Sequence, residues 1–222
     1  YIHVMEPSPY ASLALPSANR LGTTNPGLSH VVHMPSHIYM LVGRYGDAVE
    51  SNRLAADADA SYLKIAPRQH FYFMYSAHNL DFLTSAATMD GQSATAIQAT
   101  RKLQERIPLD VAVEMPEMLD FMFATPYEVL SRFGRWEEIL QEPSPPQALP
   151  VSRAMWHYSR GLALTAHGQV PEARKELEQV QRIQRNVSPQ HRSGFSPARD
   201  VLRIAELVLR ADLSAHEGDT TR

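Results

Sequence analysis

Four segments of the chain repeat one another around a glycine: LVGRYGDAV (Leu41 to Val49), TMDGQSATAI (Thr88 to Ile97), LSRFGRWEEIL (Leu130 to Leu140) and LTAHGQVPEAR (Leu164 to Arg174). Internal repetition restricts the fold more than any single motif, because each copy must form the same local unit and bury its apolar face on its neighbours. In every copy the glycine (Gly43, Gly91, Gly134, Gly168) follows an apolar helical stretch and precedes a polar, then apolar one. A glycine there supplies the left-handed residue that ends one helix, and the next residues open another. Each copy therefore predicts a helix-turn-helix hairpin. The glycines are spaced by 48, 43 and 34 residues. The two longer intervals predict extended helices or loops around PRQHFYFMYS and ERIPLDVAVEMPEM.

This pattern resembles the tetratricopeptide repeat (TPR), a hairpin of about 34 residues with a small residue at position 8, an aromatic at 11, Gly at 15 and Ala at 20. With Gly43 at position 15, Ser36 falls at 8, Tyr39 at 11 and Ala48 at 20; with Gly168 there, Gly161 falls at 8 and Ala173 at 20. The phrases YIHVME, HMPSHIYMLVGRYGDAV, YSAHNLDFL and WHYSRGLAL are similar to those of a bacterial TPR subfamily that usually carries more repeats upstream. The similarity extends to about Gln184 and supplies no biochemical role. It implies an all-α fold, a right-handed α-solenoid of stacked hairpins. The expected layout is a single repeat domain over 1–213 that begins partway through a repeat, with a flexible polar tail over 214–222. Ser196 to Leu213, opening on Ser-Pro, reads as the closing helix.

Composition removes several function classes. Lys+Arg number 21 and Asp+Glu 24, a formal net charge of -3 without any long run of like charge, so nucleic acid is not an expected partner. No apolar run reaches the roughly 18 residues of a membrane span. The chain has no cysteine, so a metal must be held by His, Asp or Glu. The N-terminus YIHVMEPSPY lacks an initiator Met and looks cut from something longer. The cytoplasm is the default location, with a signal peptide upstream of Tyr1 left open. There is no GxSxG, phosphate loop or dinucleotide fingerprint.

The histidines stand out against this background. In the resembled family, positions 2, 5, 9, 12 and 13 of each repeat face the concave groove. Counted from Gly43, His30 falls at 2, His33 at 5 and His37 at 9; His3 lies 34 residues before His37, at position 9 of the preceding repeat, with Glu6 at 12. His78, counted from Gly91, falls at position 2. Helix period alone places His33 beside His37 and His3 beside Glu6. Two such pairs on packed helices can converge on one point, and His3, Glu6, His33, His37 and His78 are the candidate ligands of a divalent transition metal. Nitrogen donors favour zinc first, with copper or iron as alternatives, over magnesium or calcium. Pro35 between His33 and His37 predicts either a helix that starts late or a kink.

Tyr1, His30, Tyr39, Tyr75 and Asn79 are candidate partners that orient the imidazoles or line the groove. Glu114 and Glu117 are possible added carboxylates. Phe71, Tyr72, Phe73 and Tyr75 either wall the groove or belong to the core. His157, beside Trp156, reads as a buried packing residue, and His70, His167, His191 and His216 as loop or exposed. Two functions follow. One is a metal-binding groove, catalytic if a place stays open for water, with Glu6 as ligand or general base in a hydrolase or oxidase acting on a small molecule or peptide. The other is a non-enzymatic scaffold that binds a peptide or protein partner in the groove.

Overall fold

The computed structural model describes residues 1–66 and 72–218. The described residues are overwhelmingly α-helical, and the chain forms two compact units, Tyr1–Ile107 and Pro108–Arg222. His70 and Phe71 lie outside the described residues.

The first unit contains α1 (Ile2–Met5), a 3-10 turn (Ala11–Ala14), α2 (Leu15–Leu21), α3 (Ser29–His33), α4 (Pro35–Leu41), α5 (Tyr45–Ile65), α6 (Tyr72–Met89) and α7 (Ser93–Arg106). Helix α5 packs on α3 and α4 on one side and on α6 on another, α6 packs on α7, and α1 and α2 pack on α4. Alanines dominate these contacts: Ala48, Ala55, Ala77, Ala86, Ala87 and Ala96 have no solvent exposure. Small side chains let helix axes approach closely, and Ile38, Leu80, Val49 and Leu103 fill the remaining space.

The second unit contains α8 (Leu109–Glu114), α9 (Pro116–Leu119), a 3-10 turn (Asp120–Phe123), α10 (Thr125–Arg132), α11 (Trp136–Gln141), α12 (Pro150–Ala166), α13 (Val170–Asn186), β1 (Arg192–Ser193), β2 (Ser196–Pro197) and α14 (Ala198–His216). Helix α12 is its centre, contacting α10, α11, α13 and α14. Val151, Ala154 and Met155 of α12 meet Ala198, Leu202 and Ala205 of α14, and further along Leu164 joins Leu177, Leu209 and Leu213. Buried Asp120 accepts the Val151 and Ser152 amides at 2.6 and 2.9 Å, satisfying donors that the first turn of α12 leaves free.

The four repeat glycines have φ between +62° and +76°. In each case the glycine amide donates to the carbonyl three residues back, and the next amide to the carbonyl five back, as in Arg44 to Tyr39, Gln92 to Ala87, Arg135 to Leu130 and Gln169 to Leu164. This is the Schellman closure, and it makes hairpins of α4–α5, α6–α7, α10–α11 and α12–α13. The 48-residue interval is taken up by the 21-residue α5 and 18-residue α6. The 43-residue interval holds the short helices α8 and α9 and a 3-10 turn.

One expectation changes. The closing helix starts at Ala198 rather than Ser196, because Ser196–Pro197 pairs antiparallel with Arg192–Ser193 in a small hairpin, and it runs on to His216. Gly194, at φ +59°, takes the first place of the two-residue turn. His191 lies in a loop, as expected, and is buried there, at 7% exposure.

Candidate metal centre

The break at Pro35 is a late start. Helix α3 ends at His33, Met34 keeps a right-handed helical backbone at φ -49° and ψ -37°, and Pro35 opens α4. Proline is tolerated there because the first turn has no use for its missing N–H. Ser51 of α5 donates its hydroxyl to the Val32 carbonyl at 2.6 Å beside the break. His33 and His37 thus remain side by side, at 0% and 5% exposure.

Five histidines and a carboxylate gather there. His33 Nε2 lies 2.9 Å from His37 Nε2. The His78 ring, from α6, is centred 4.6 Å from that of His33 and 5.8 Å from that of His37. His33, His37 and His78 can each offer a nitrogen, all within 4.8 Å of one another, as a metal-holding group. His3, Glu6 and His37 form a second such group that shares His37. The His30 ring stacks on His33 at 5.4 Å, and its Nδ1 is buried without a partner. Tyr75 packs edge-on against His30 at 5.4 Å.

The hydrogen bonds assign the tautomers. Asn52 of α5 donates its amide nitrogen to the Ala48 carbonyl at 2.8 Å, which turns its Oδ1 toward His33 Nδ1, 2.7 Å away. An amide oxygen only accepts, so His33 Nδ1 carries the proton. His37 Nδ1 faces Glu6 Oε1 at 2.7 Å and likewise donates. With both rings neutral, both Nε2 atoms are left with bare lone pairs pointing at each other.

Burial works against protonating these rings. Burial pushes His33 down to about 3 against the opposing hydrogen bond to Asn52. Burial, with the neighbouring His37 and His30, pushes His78 down to about 4. Burial also lowers His37, although Glu6 pulls the other way. Burial raises Glu6, but hydrogen bonds from His3 and His37 outweigh it and leave the carboxylate lowered and ionised near neutral pH. Phe82, one helical turn after His78, closes one wall with ring centroids 4.5 to 4.9 Å from His33, His37 and His78.

Several candidates take other places. Glu6 gives one oxygen to His37 and the other to His3 Nδ1 at 3.1 Å, and so holds two imidazoles within the second metal-holding group. Tyr39 donates its hydroxyl to Asn19 at 3.1 Å, under the Arg44 guanidinium, rather than orienting an imidazole. Asn79 donates to Asp59 at 2.9 Å, and Tyr72 donates to the other Asp59 oxygen at 2.7 Å. Tyr1 is exposed, and its carbonyl accepts the Val4 and Met5 amides at the start of α1. Glu114 and Glu117 are exposed on α8 and α9 and belong to neither metal-holding group. His157 is buried and bonded to Glu176 at 2.6 Å.

Asn52 and Phe82 were not foreseen. Asn52 lies 19 residues from the imidazole it fixes. Phe82 carried the one available signal, since it falls four residues after His78 on the same helix face.

No family model matches the chain, and no curated protein or solved structure matches it significantly. The fold and site define the protein as an all-α chain with a buried histidine cluster able to hold a metal.

Proposed function

We propose that His33, His37 and His78 bind one divalent transition metal, zinc in the first instance, and leave a coordination place open to water. The observation that carries this reading is the opposed pair of bare Nε2 atoms at 2.9 Å. Two lone pairs at that distance repel unless a cation lies between or beside them. Two nitrogens bound to one tetrahedral zinc at about 2.0 to 2.1 Å stand roughly 3.3 Å apart, a small adjustment from this arrangement. Asn52 and Glu6 then act as outer partners, each fixing a tautomer and turning a ligand nitrogen inward.

Three imidazoles and a water are the donor set of catalytic zinc sites rather than closed structural ones. A zinc ion there would lower the pKa of its water toward neutrality and support hydrolysis; copper or iron in the same ligands would support oxidative chemistry. Exposed His3 and Tyr75 mark the side open to solvent, where a small molecule or peptide would enter. The glycine-closed hairpins support assignment to the TPR class, with this histidine-lined surface as the concave groove.

The test is elemental analysis of protein purified without a histidine tag and after zinc supplementation, with circular dichroism to confirm folding. About one zinc per chain is expected in the parent, lost in His33→Ala and His78→Ala and retained in His3→Ala. Loss in His3→Ala with retention in His78→Ala would move the metal to the His3–Glu6–His37 group. No metal in the parent leaves the groove as a scaffold for a peptide or protein partner.

A further inference from the structure

The second unit contains a pocket of about 760 Å³ between the N-terminus of α12, the C-terminal half of α13 and the loop before β1. Arg153, Arg182 and His191 line it alongside Gln179, and Ile183 and Val187 supply an apolar surface. We propose that this pocket binds a small organic oxyanion, a carboxylate or a phosphate ester, with the charged group against Arg153, Arg182 and His191 and its apolar part over Ile183 and Val187.

The first support is donor groups held in place without a partner. His191 is 7% exposed, and both its ring nitrogens are buried without a hydrogen bond. Its position comes from the backbone instead: its amide donates to Ser188 and its carbonyl accepts from Ala198, each at 3.0 Å. The Arg153 Nε is likewise buried and unpartnered. Buried polar atoms are nearly always paired, and these three unpaired ones belong to two residues that line the cavity, where a ligand could pair them after a small side-chain shift. The second support is charge. The lining has two guanidinium groups and an imidazole and no carboxylate. Asp120, the nearby buried carboxylate, has its two oxygens committed to Val151 and Ser152. Guanidinium groups recognise carboxylate and phosphate through paired, charge-assisted hydrogen bonds.

The test follows the His191 ring by nitrogen–proton NMR while the full chain is titrated with phenyl phosphate, phenylacetate, inorganic phosphate and, as a neutral probe, benzyl alcohol. A saturable shift of His191 with phenyl phosphate or phenylacetate is expected, and whichever binds more tightly identifies the oxyanion. Arg153→Gln, with unchanged circular dichroism, is expected to weaken that binding about tenfold, the effect of losing one charge-assisted contact. Arg182→Gln, on the exposed face, gives a second readout in the same direction if the first variant folds poorly. The proposal is overturned if no anionic probe gives a saturable shift, if benzyl alcohol shifts His191 as strongly as the anions, or if binding is unchanged in both arginine variants.

Discussion

What a histidine nitrogen can do is decided by the partner of its other nitrogen, and at His33 and His37 those partners are an amide oxygen and a carboxylate. Removing either partner frees the ring to rotate or change tautomer without deleting a ligand. Asn52→Leu, which keeps the branching and heavy-atom count of the side chain, is expected to weaken zinc binding about 10- to 100-fold in competition against a chelating dye, with helicity unchanged. Glu6→Gln is expected to act in the same direction through His37, since an amide can still accept but no longer carries charge. If both variants bind zinc as the parent does, the outer partners have no part in holding the metal.

At the scale of elements, two glycines matter in different ways, one closing a hairpin and one letting α12 approach α14. Gly43 sits at φ +76° with open space where a Cβ would go, so Gly43→Ala suffers backbone strain alone, about 1 to 2 kcal/mol. Gly161 is helical, and a Cβ there would lie 2.5 Å from a methyl of Leu209, itself fully buried. Gly161→Ala therefore trades about 1 kcal/mol of gained helix propensity against an overpacking cost of about 1 to 3 kcal/mol. Urea denaturation is expected to show a clear loss for Gly43→Ala and a smaller net loss for Gly161→Ala.

Both glycines were visible in the sequence because a turn and a close helix approach each demand the smallest residue. Counting from Gly43 and Gly91 also brought His3, His33, His37 and His78 to one place, since helical phase survives the break at Pro35. What the count left out is contact across helices. Asn52 reaches His33 only because α5 lies against α3, and Tyr39 and Asn79 turn away because Asn19 and Asp59 are nearer partners. The β1–β2 hairpin has strands of two residues, too short to leave an alternating pattern, and His191, the residue before it, is buried.

For the molecule as a whole, stability depends on groups that change charge between folded and unfolded chains. Burial alone would raise Glu176, but hydrogen bonds from His157 and Arg160 outweigh it and hold its carboxyl below the ordinary 4.5. A lowered carboxyl contributes stability above its unfolded value, and that contribution is lost as pH falls from about 5 through its folded value. The melting temperature of the parent is expected to drop over that acid range more steeply than that of Glu176→Gln; equal slopes would remove Glu176 from the account. Zinc acts on the other unit. A ligand at 100 times its dissociation constant stabilises the state that binds it by about 2.7 kcal/mol. Hydrogen exchange should therefore slow in α3, α4 and α6, which carry the three imidazoles.

The most direct measurement is X-ray absorption at the zinc edge on the zinc-loaded parent chain. Three imidazole nitrogens at about 2.0 Å, with the outer-shell scattering of intact rings and one further light atom, are the predicted first shell. A shell of water oxygens without imidazole scattering, or one imidazole alone, would contradict a centre built on His33, His37 and His78.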